Sequence, residues 1–346
     1  MRVGVARRVA RDWVTENVRN EDWFRGAYFS GSTVEMPDEA ELPTGSDVDI
    51  MVVTGATDPP PKLGKFLFRD VLLEVTYLSW HELTSKEAVF TNYHLANAFR
   101  LNTIIFDPTG YLHELQSEVS SCFTHYEWVR RRCENARQKA MRGIQSLDAA
   151  APWHDQVNGW LFPTGITTHV LLVAALRNPT VRLRYLAVRE VLKKYDHSYL
   201  YPELLQLLGC ADMTSQRALE HLGELAHTFD AAAQVARTEF PFSSDITPIA
   251  RPIAIDAAQE LIKEGNHREA VFWMMATFAR CHKILAADAR ELHVNRLPFF
   301  TAMVRDLGIT SFDDLVERGE QVLCFLPRLW GVAEAIMEAN PDIVVY

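Results

Sequence analysis

Gly45-Ser46-Asp47-Val48-Asp49-Ile50-Met51-Val52-Val53-Thr54 decides the reading of this chain. Two acids alternate with an apolar residue, and the run then turns wholly apolar, as in a strand covered on both faces. A period of two puts the Asp47 and Asp49 carboxylates on the same side of that strand. Carboxylates so close repel one another, and burying them uncompensated is costly. A divalent cation removes that penalty. Oxygen-only ligands suit Mg²⁺, which binds through one or two carboxylates plus substrate phosphates. Upstream, Gly26-Ala27-Tyr28-Phe29-Ser30 reads as a strand that ends at a Gly31-Ser32 turn. Without a Cβ, Gly31 lets the backbone approach a triphosphate, and the Ser32 amide and hydroxyl can bond its oxygens. The competing reading of Asp47 and Asp49 is a turn-and-cap pair, since Asp is common where loops meet strands.

Upstream of these strands, apolar positions at Val5, Val9 and Trp13 predict an amphipathic helix over residues 5–18. A loop with Pro37, Pro43 and Gly45 precedes the acidic strand, and Asp58-Pro59-Pro60-Pro61 follows it. Val71-Leu72-Leu73-Glu74-Val75-Thr76-Tyr77-Leu78 is the next expected strand, and Asn102 to Phe106 another, closed by the turn Asp107-Pro108-Thr109-Gly110. Glu74, inside an apolar run, is the candidate third carboxylate. Its alternative is a solvent-facing strand residue paired with a nearby Lys or Arg. Asp70 is a rival third carboxylate, but its place before the apolar run assigns it to a turn.

From about Leu112 the texture changes to helical periodicity, in residues 126–147, 181–195, 215–237, 253–265, 267–287 and 312–339. Pro163 and Pro298 are expected to start helices and Pro327 to kink one. The expected fold class is α+β, a small mixed-sheet domain with flanking helices over residues 1–118 followed by an all-helical domain over 119–346.

Ser30-Gly31-Ser32 with Gly45-Ser46-Asp47-Val48-Asp49-Ile50 resembles the signature of the polymerase-β nucleotidyltransferase superfamily. Leu73-Glu74-Val75-Thr76 is similar to the third-carboxylate strand of streptomycin/spectinomycin adenylyltransferases. The motif resemblance spans roughly residues 26–110, and the two-domain plan is similar too. It implies that Asp47, Asp49 and Glu74 hold two Mg²⁺ ions and that Gly31, Ser32 and Ser46 take part in nucleotide binding. It further implies that Glu74 takes the proton of an acceptor hydroxyl. The expected substrates are ATP or another nucleoside triphosphate and a small hydroxylated acceptor, with the helical domain as the acceptor domain.

Composition is that of an ordinary globular chain: 346 residues, 48% hydrophobic and 23% charged. With 45 Asp and Glu against 35 Lys and Arg, the net charge of −10 argues against a nucleic-acid binder, which usually carries a basic stripe. The Arg130-Arg131-Arg132 run reads as a solvated helix face. Five scattered cysteines without CxxC spacing read as buried thiols of a reducing compartment. No apolar leader opens the chain, and no stretch of about 18 apolar residues could span a membrane, so a cytoplasmic location is expected.

Several residues invite two readings. Arg137, Lys139 and Arg142 share a helix that could line a cleft and meet triphosphate oxygens, or simply form a solvated surface. Lys139 is the one counted among the nucleotide-binding residues. Arg100 could serve a phosphate or cap its own helix. The segment Trp160 to His169 reads as an acceptor pocket or as an apolar helix hairpin. Glu220, Glu224, His221 and His227 suggest a cation-recognising face or a solvated one, and His267 and His282 read as locally satisfied histidines.

Overall fold

The computed structural model describes residues 1–43 and 45–345. They form two compact units, Met1–Arg132 with Asp342–Tyr346, and Cys133–Pro341. The division falls inside a helix, after Arg132, whereas the sequence reading placed it at 118/119. The C-terminal segment returns to the first unit through Val344, whose carbonyl accepts from the Tyr126 amide at 3.0 Å while its own amide donates to the Thr124 carbonyl at 3.0 Å.

The first unit opens with α1 (Val3–Asn17). Its strands are β1 (Phe24–Ser30), β2 (Val48–Thr54), β3 (Gly64–Phe68), β4 (Val71–Ser79) and β5 (Ile104–Phe106). They make one five-stranded sheet in the order β3-β4-β2-β1-β5. Only β2 and β4 run parallel; the other three pairings are antiparallel, so the sheet is mixed. The central place of β2 explains its apolar run. Val48, Ile50 and Val52 join Leu73 and Val75 in a core with Ala6, Ala10, Trp13 and Val14 of α1. Each fully buried large aliphatic side chain there contributes on the order of 1.5–3 kcal/mol. After β4 come α2 (His81–Thr84), α3 (Lys86–Thr91) and α4 (Tyr93–Phe99), then α5 (Tyr111–Cys122) beyond β5. Phe99 of α4 packs on Tyr28 of β1 with ring centroids 4.6 Å apart.

One strand, β3, was not anticipated. It follows three prolines and lacks clean alternation, with Leu67 largely exposed at the sheet edge. It forms a hairpin with β4 in which Phe68 faces Val71. The two intervening residues, Arg69 and Asp70, have φ of 47° and 62°. Positive φ at both central positions suits the right-handed twist of a tight hairpin, but Asn-Gly, its usual sequence signal, is absent. Asp70 therefore sits in a turn, as expected, and is no third carboxylate.

The helix α6 (Tyr126–Gln145) leads into the second unit, which is helical throughout. It comprises α7 (Trp153–Ala174), α8 (Arg184–Lys194), α9 (Tyr201–Leu208), α10 (Ser215–Val235), a π-helical turn Pro252–Asp256 running into α11 (Ala257–Lys263), α12 (His267–Asp288), α13 (Arg290–Asp306) and α14 (Phe312–Ala339). The expectation that Pro163 and Pro298 begin helices is corrected: both lie inside α7 and α13, as Pro327 lies inside α14. Proline removes an intrahelical hydrogen bond, so tertiary packing must compensate. At Pro163 the partner is visible. A Cβ added to Gly143 would stand 2.4 Å from the Pro163 Cγ, so α6 offers the ring a notch. Residues Val170–Ala174 are all buried, which marks the second half of α7 as central. Among the described residues no helix is long and apolar enough to cross a membrane.

Candidate metal and nucleotide site

Strand register assembles the site. Asp49 faces Glu74 across the parallel β2–β4 pair, Ser30 faces Asp49 across β1–β2, and Lys65 faces Glu74 across β3–β4. Directly paired residues share a face, so one row of side chains, Lys65, Glu74, Asp49 and Ser30, crosses four strands on the face opposite α1. Asp47 precedes β2 by one residue and lies near this row. Ligand oxygens of Asp47, Asp49 and Glu74 all fall within 4.8 Å of one another. The sequence reading had brought these three together, and the structure does so.

Like charges directly opposed in a sheet repel, and here two lysines compensate. Lys65 Nζ lies 3.2 Å from Asp47 Oδ2 and 2.5 Å from Glu74 Oε2. Lys62 pairs with the other oxygen, Glu74 Oε1. Glu74 is only 9% exposed, so it is not the solvent-facing strand residue of the alternative reading, although it has lysine partners as that reading supposed. Neither lysine was singled out from the sequence, because the strand that aims Lys65 at Glu74 was not recognised. The Lys-x-x-Lys spacing after the prolines was the available signal.

Gly31 closes the row. Its φ is +73°, and an added Cβ would stand 1.7 Å from Asp49 Oδ2. Only glycine lets the β1 turn pass this close to the carboxylate. Ser32 follows, exposed, in a short 3₁₀ turn, Ser32–Glu35. That turn is tied down from behind: Arg7 of α1 donates to the carbonyls of Thr33, Val34 and, at 3.0 Å, Met36, and pairs with Asp38 at 2.7 Å. Arg100 ends α4 and pairs with Glu35 at 2.8 Å. It stands at the C-terminus of α4 with its guanidinium on the segment that carries Ser32. Ser46 is half-buried, with its amide donating to the Pro43 carbonyl at 3.0 Å.

An Mg²⁺ site needs clustered oxygen ligands and a neighbourhood shaped for a cation. Three carboxylates and an ammonium group already held between two of them meet both demands, so the residues present fit the ion.

The other candidates resolve mostly into structure. Lys139 belongs to the second unit and is exposed on α6, as is Arg142. Arg137 pairs with Glu134 at 2.7 Å and lies over Trp330. The reading of Arg130-Arg131-Arg132 as a solvated face fails at Arg132, which is buried, stacks on Phe123 and donates to its carbonyl. Trp160 and His169 are buried within α7, and His169 Nε2 meets the Thr180 carbonyl oxygen at 2.9 Å. The segment is thus helix core. Glu220 pairs with Arg217, and His221 meets Asp306 at 2.7 Å, an ion-pair network on the α10–α13 surface. The thiols are all free, but they are not all buried: Cys324 is exposed and Cys122 half-buried. Contrary to expectation, His282 Nε2 and His267 Nδ1 are buried without a hydrogen-bond partner. Burial pushes the His282 imidazole down to about 3, with His293 and His154 beside it adding to the fall.

Scanned against models of protein families the sequence matches none, and a search of curated proteins gives no match either.

Proposed function

We propose that the chain is a Mg²⁺-dependent nucleotidyltransferase whose first unit is a polymerase-β-like domain. It would move a nucleoside monophosphate, AMP from ATP in the simplest case, onto a hydroxyl of a small molecule of the aminoglycoside type. The observation that carries this reading is the convergence of Asp47, just before β2, with Asp49 of β2 and Glu74 of β4 within 4.8 Å. The steric demand for glycine at position 31 supports it, because it opens a backbone turn beside those carboxylates.

In this reading Asp47, Asp49 and Glu74 hold the metal. When bound, Mg²⁺ supplies Lewis-acid stabilisation of the phosphoryl oxygens and of the charge developing on the leaving group. The Gly31-Ser32 backbone and the Ser32 hydroxyl donate to triphosphate oxygens. The acceptor oxygen forms a bond to the α-phosphorus as the bond between that phosphorus and the α–β bridging oxygen breaks. Pyrophosphate leaves, and the hydroxyl proton passes to the Glu74 carboxylate. The net charge of −10 suits a cationic acceptor better than a polyanionic one.

The test is pyrophosphate release with ATP and GTP across a panel of aminoglycosides, lincosamides and simple polyols. Release that requires Mg²⁺ and disappears in the Asp47→Asn, Asp49→Asn double variant is expected. Nucleotide binding that the double variant leaves untouched would sink the metal-dependent reading. Binding without release on any acceptor would favour a nucleotide-binding interaction module.

A further inference from the structure

The space between two of these carboxylates already carries a cation. Lys65 Nζ sits between Asp47 Oδ2 and Glu74 Oε2, and its side chain is only 8% exposed. Lys62 covers the remaining Glu74 oxygen. We propose that Lys65 is a built-in counter-cation that Mg²⁺ must displace, so that metal entry is an exchange of one cation for another. This rests on the reading of Asp47, Asp49 and Glu74 as metal ligands.

An Mg²⁺ ion takes its ligand oxygens at about 2.0–2.1 Å in near-octahedral geometry, which leaves no room for an ammonium group between the same two carboxylates. Charge points the same way, since a monocation and a dication a few ångströms apart in a half-buried site repel strongly. The strand placement makes the exchange feasible. Lys65 lies on the edge strand β3, in register with Glu74, and its ammonium ends a flexible four-carbon stem. The side chain can leave without disturbing the sheet beneath it.

The two lysines offset two of the three carboxylate charges in the metal-free site, and this lets a row of opposed acids fold without an ion. The same arrangement weakens the site for bare metal. Loading then depends on further oxygens, and a triphosphate carries them, so metal and nucleotide enter together.

Two measurements on the 346-residue chain test this. First, acylation of lysine amines is followed by mass spectrometry with and without saturating Mn²⁺, whose binding is counted separately by magnetic resonance. Lys65 is expected to be protected in the metal-free protein and to become reactive when Mn²⁺ binds. Second, Lys65→Met keeps the length of the side chain and removes its charge. It is expected to tighten Mn²⁺ binding by about tenfold, to lower the metal-free Tm, and to raise the Tm gain on metal addition. Mn²⁺ bound through Asp47 and Asp49 with Lys65 still protected would overturn the exchange while leaving the metal site intact. Absence of any Mn²⁺ binding that depends on Asp47 and Asp49 would overturn both. If Lys65→Met does not fold, the labelling of the unaltered chain still decides.

Discussion

Gly31 shows how much one residue can carry. Its φ is +73°, and its missing Cβ leaves free the space that Asp49 Oδ2 occupies. Gly31→Ala would place a methyl group inside the carboxylate and add backbone strain on the order of 1–3 kcal/mol, because φ 73° with ψ −159° is a conformation essentially reserved for glycine. The expected outcome is a Tm lower by a few degrees and Mn²⁺ binding weakened at least tenfold; unchanged Mn²⁺ binding would show that Asp49 is not a ligand. At this scale the sequence was informative, because period two alone puts Asp47 and Asp49 on one side. It was silent on Lys65. A lysine in an unrecognised strand carries no mark of the partner it will meet.

At the scale of elements, local chemistry and tertiary demand separate cleanly. The long helix α14 begins with a capping box, in which the Ser311 side chain accepts from the Asp314 amide and Asp314 reaches back to the Ser311 amide. Ser311→Ala should cost about 1 kcal/mol, read from urea unfolding. The β3–β4 hairpin is the opposite case. Arg69 and Asp70 hold positive φ although neither is glycine or asparagine. Arg69 also pairs with Asp12 and Glu16 of α1, but those exposed pairs contribute little. Asp70→Gly should therefore stabilise the hairpin, by up to about 1 kcal/mol, without changing Mn²⁺ affinity. A loss of Mn²⁺ affinity in that variant would return Asp70 to the list of ligands. The same tension explains the prolines. Pro163 reads locally as a helix start, yet it lies inside α7 because α6 presents the Gly143 notch.

For the molecule as a whole, a cluster of histidines gives the second unit a pH dependence. His282 meets His293 with their Nδ1 atoms 3.2 Å apart, and His154 packs beside His293. Asp155 and Lys283, paired at 2.9 Å, are the charged neighbours. Burial pushes His282 down to about 3 and His154 down to about 4, the latter against the opposing pull of Asp155. Folded-state values below the ordinary value near 6.5 mean that the unfolded chain takes up protons first, so stability falls as pH drops below about 6.5. Each histidine adds a slope of about 1.4 kcal/mol per pH unit until its own folded value is reached. Urea unfolding at pH 7 and pH 5 should show this loss, and His282→Met should reduce it by one histidine's share. An identical pH profile in that variant would assign the dependence to other groups.

What the chain settled locally was the pair of acids at the start of a strand and the class of fold. Alternation in residues 47–54 made a strand with two acids on one side, and helical periodicity after residue 112 made the second unit helical. Both are short-range properties, because side-chain direction repeats with the backbone itself. What required the folded sheet was adjacency. The parallel pairing of β2 with β4 sets Asp49 against Glu74, and the hairpin sets Lys65 against the same glutamate. Register is a long-range property, fixed by which faces the core buries, and only there do three carboxylates and a lysine become one site.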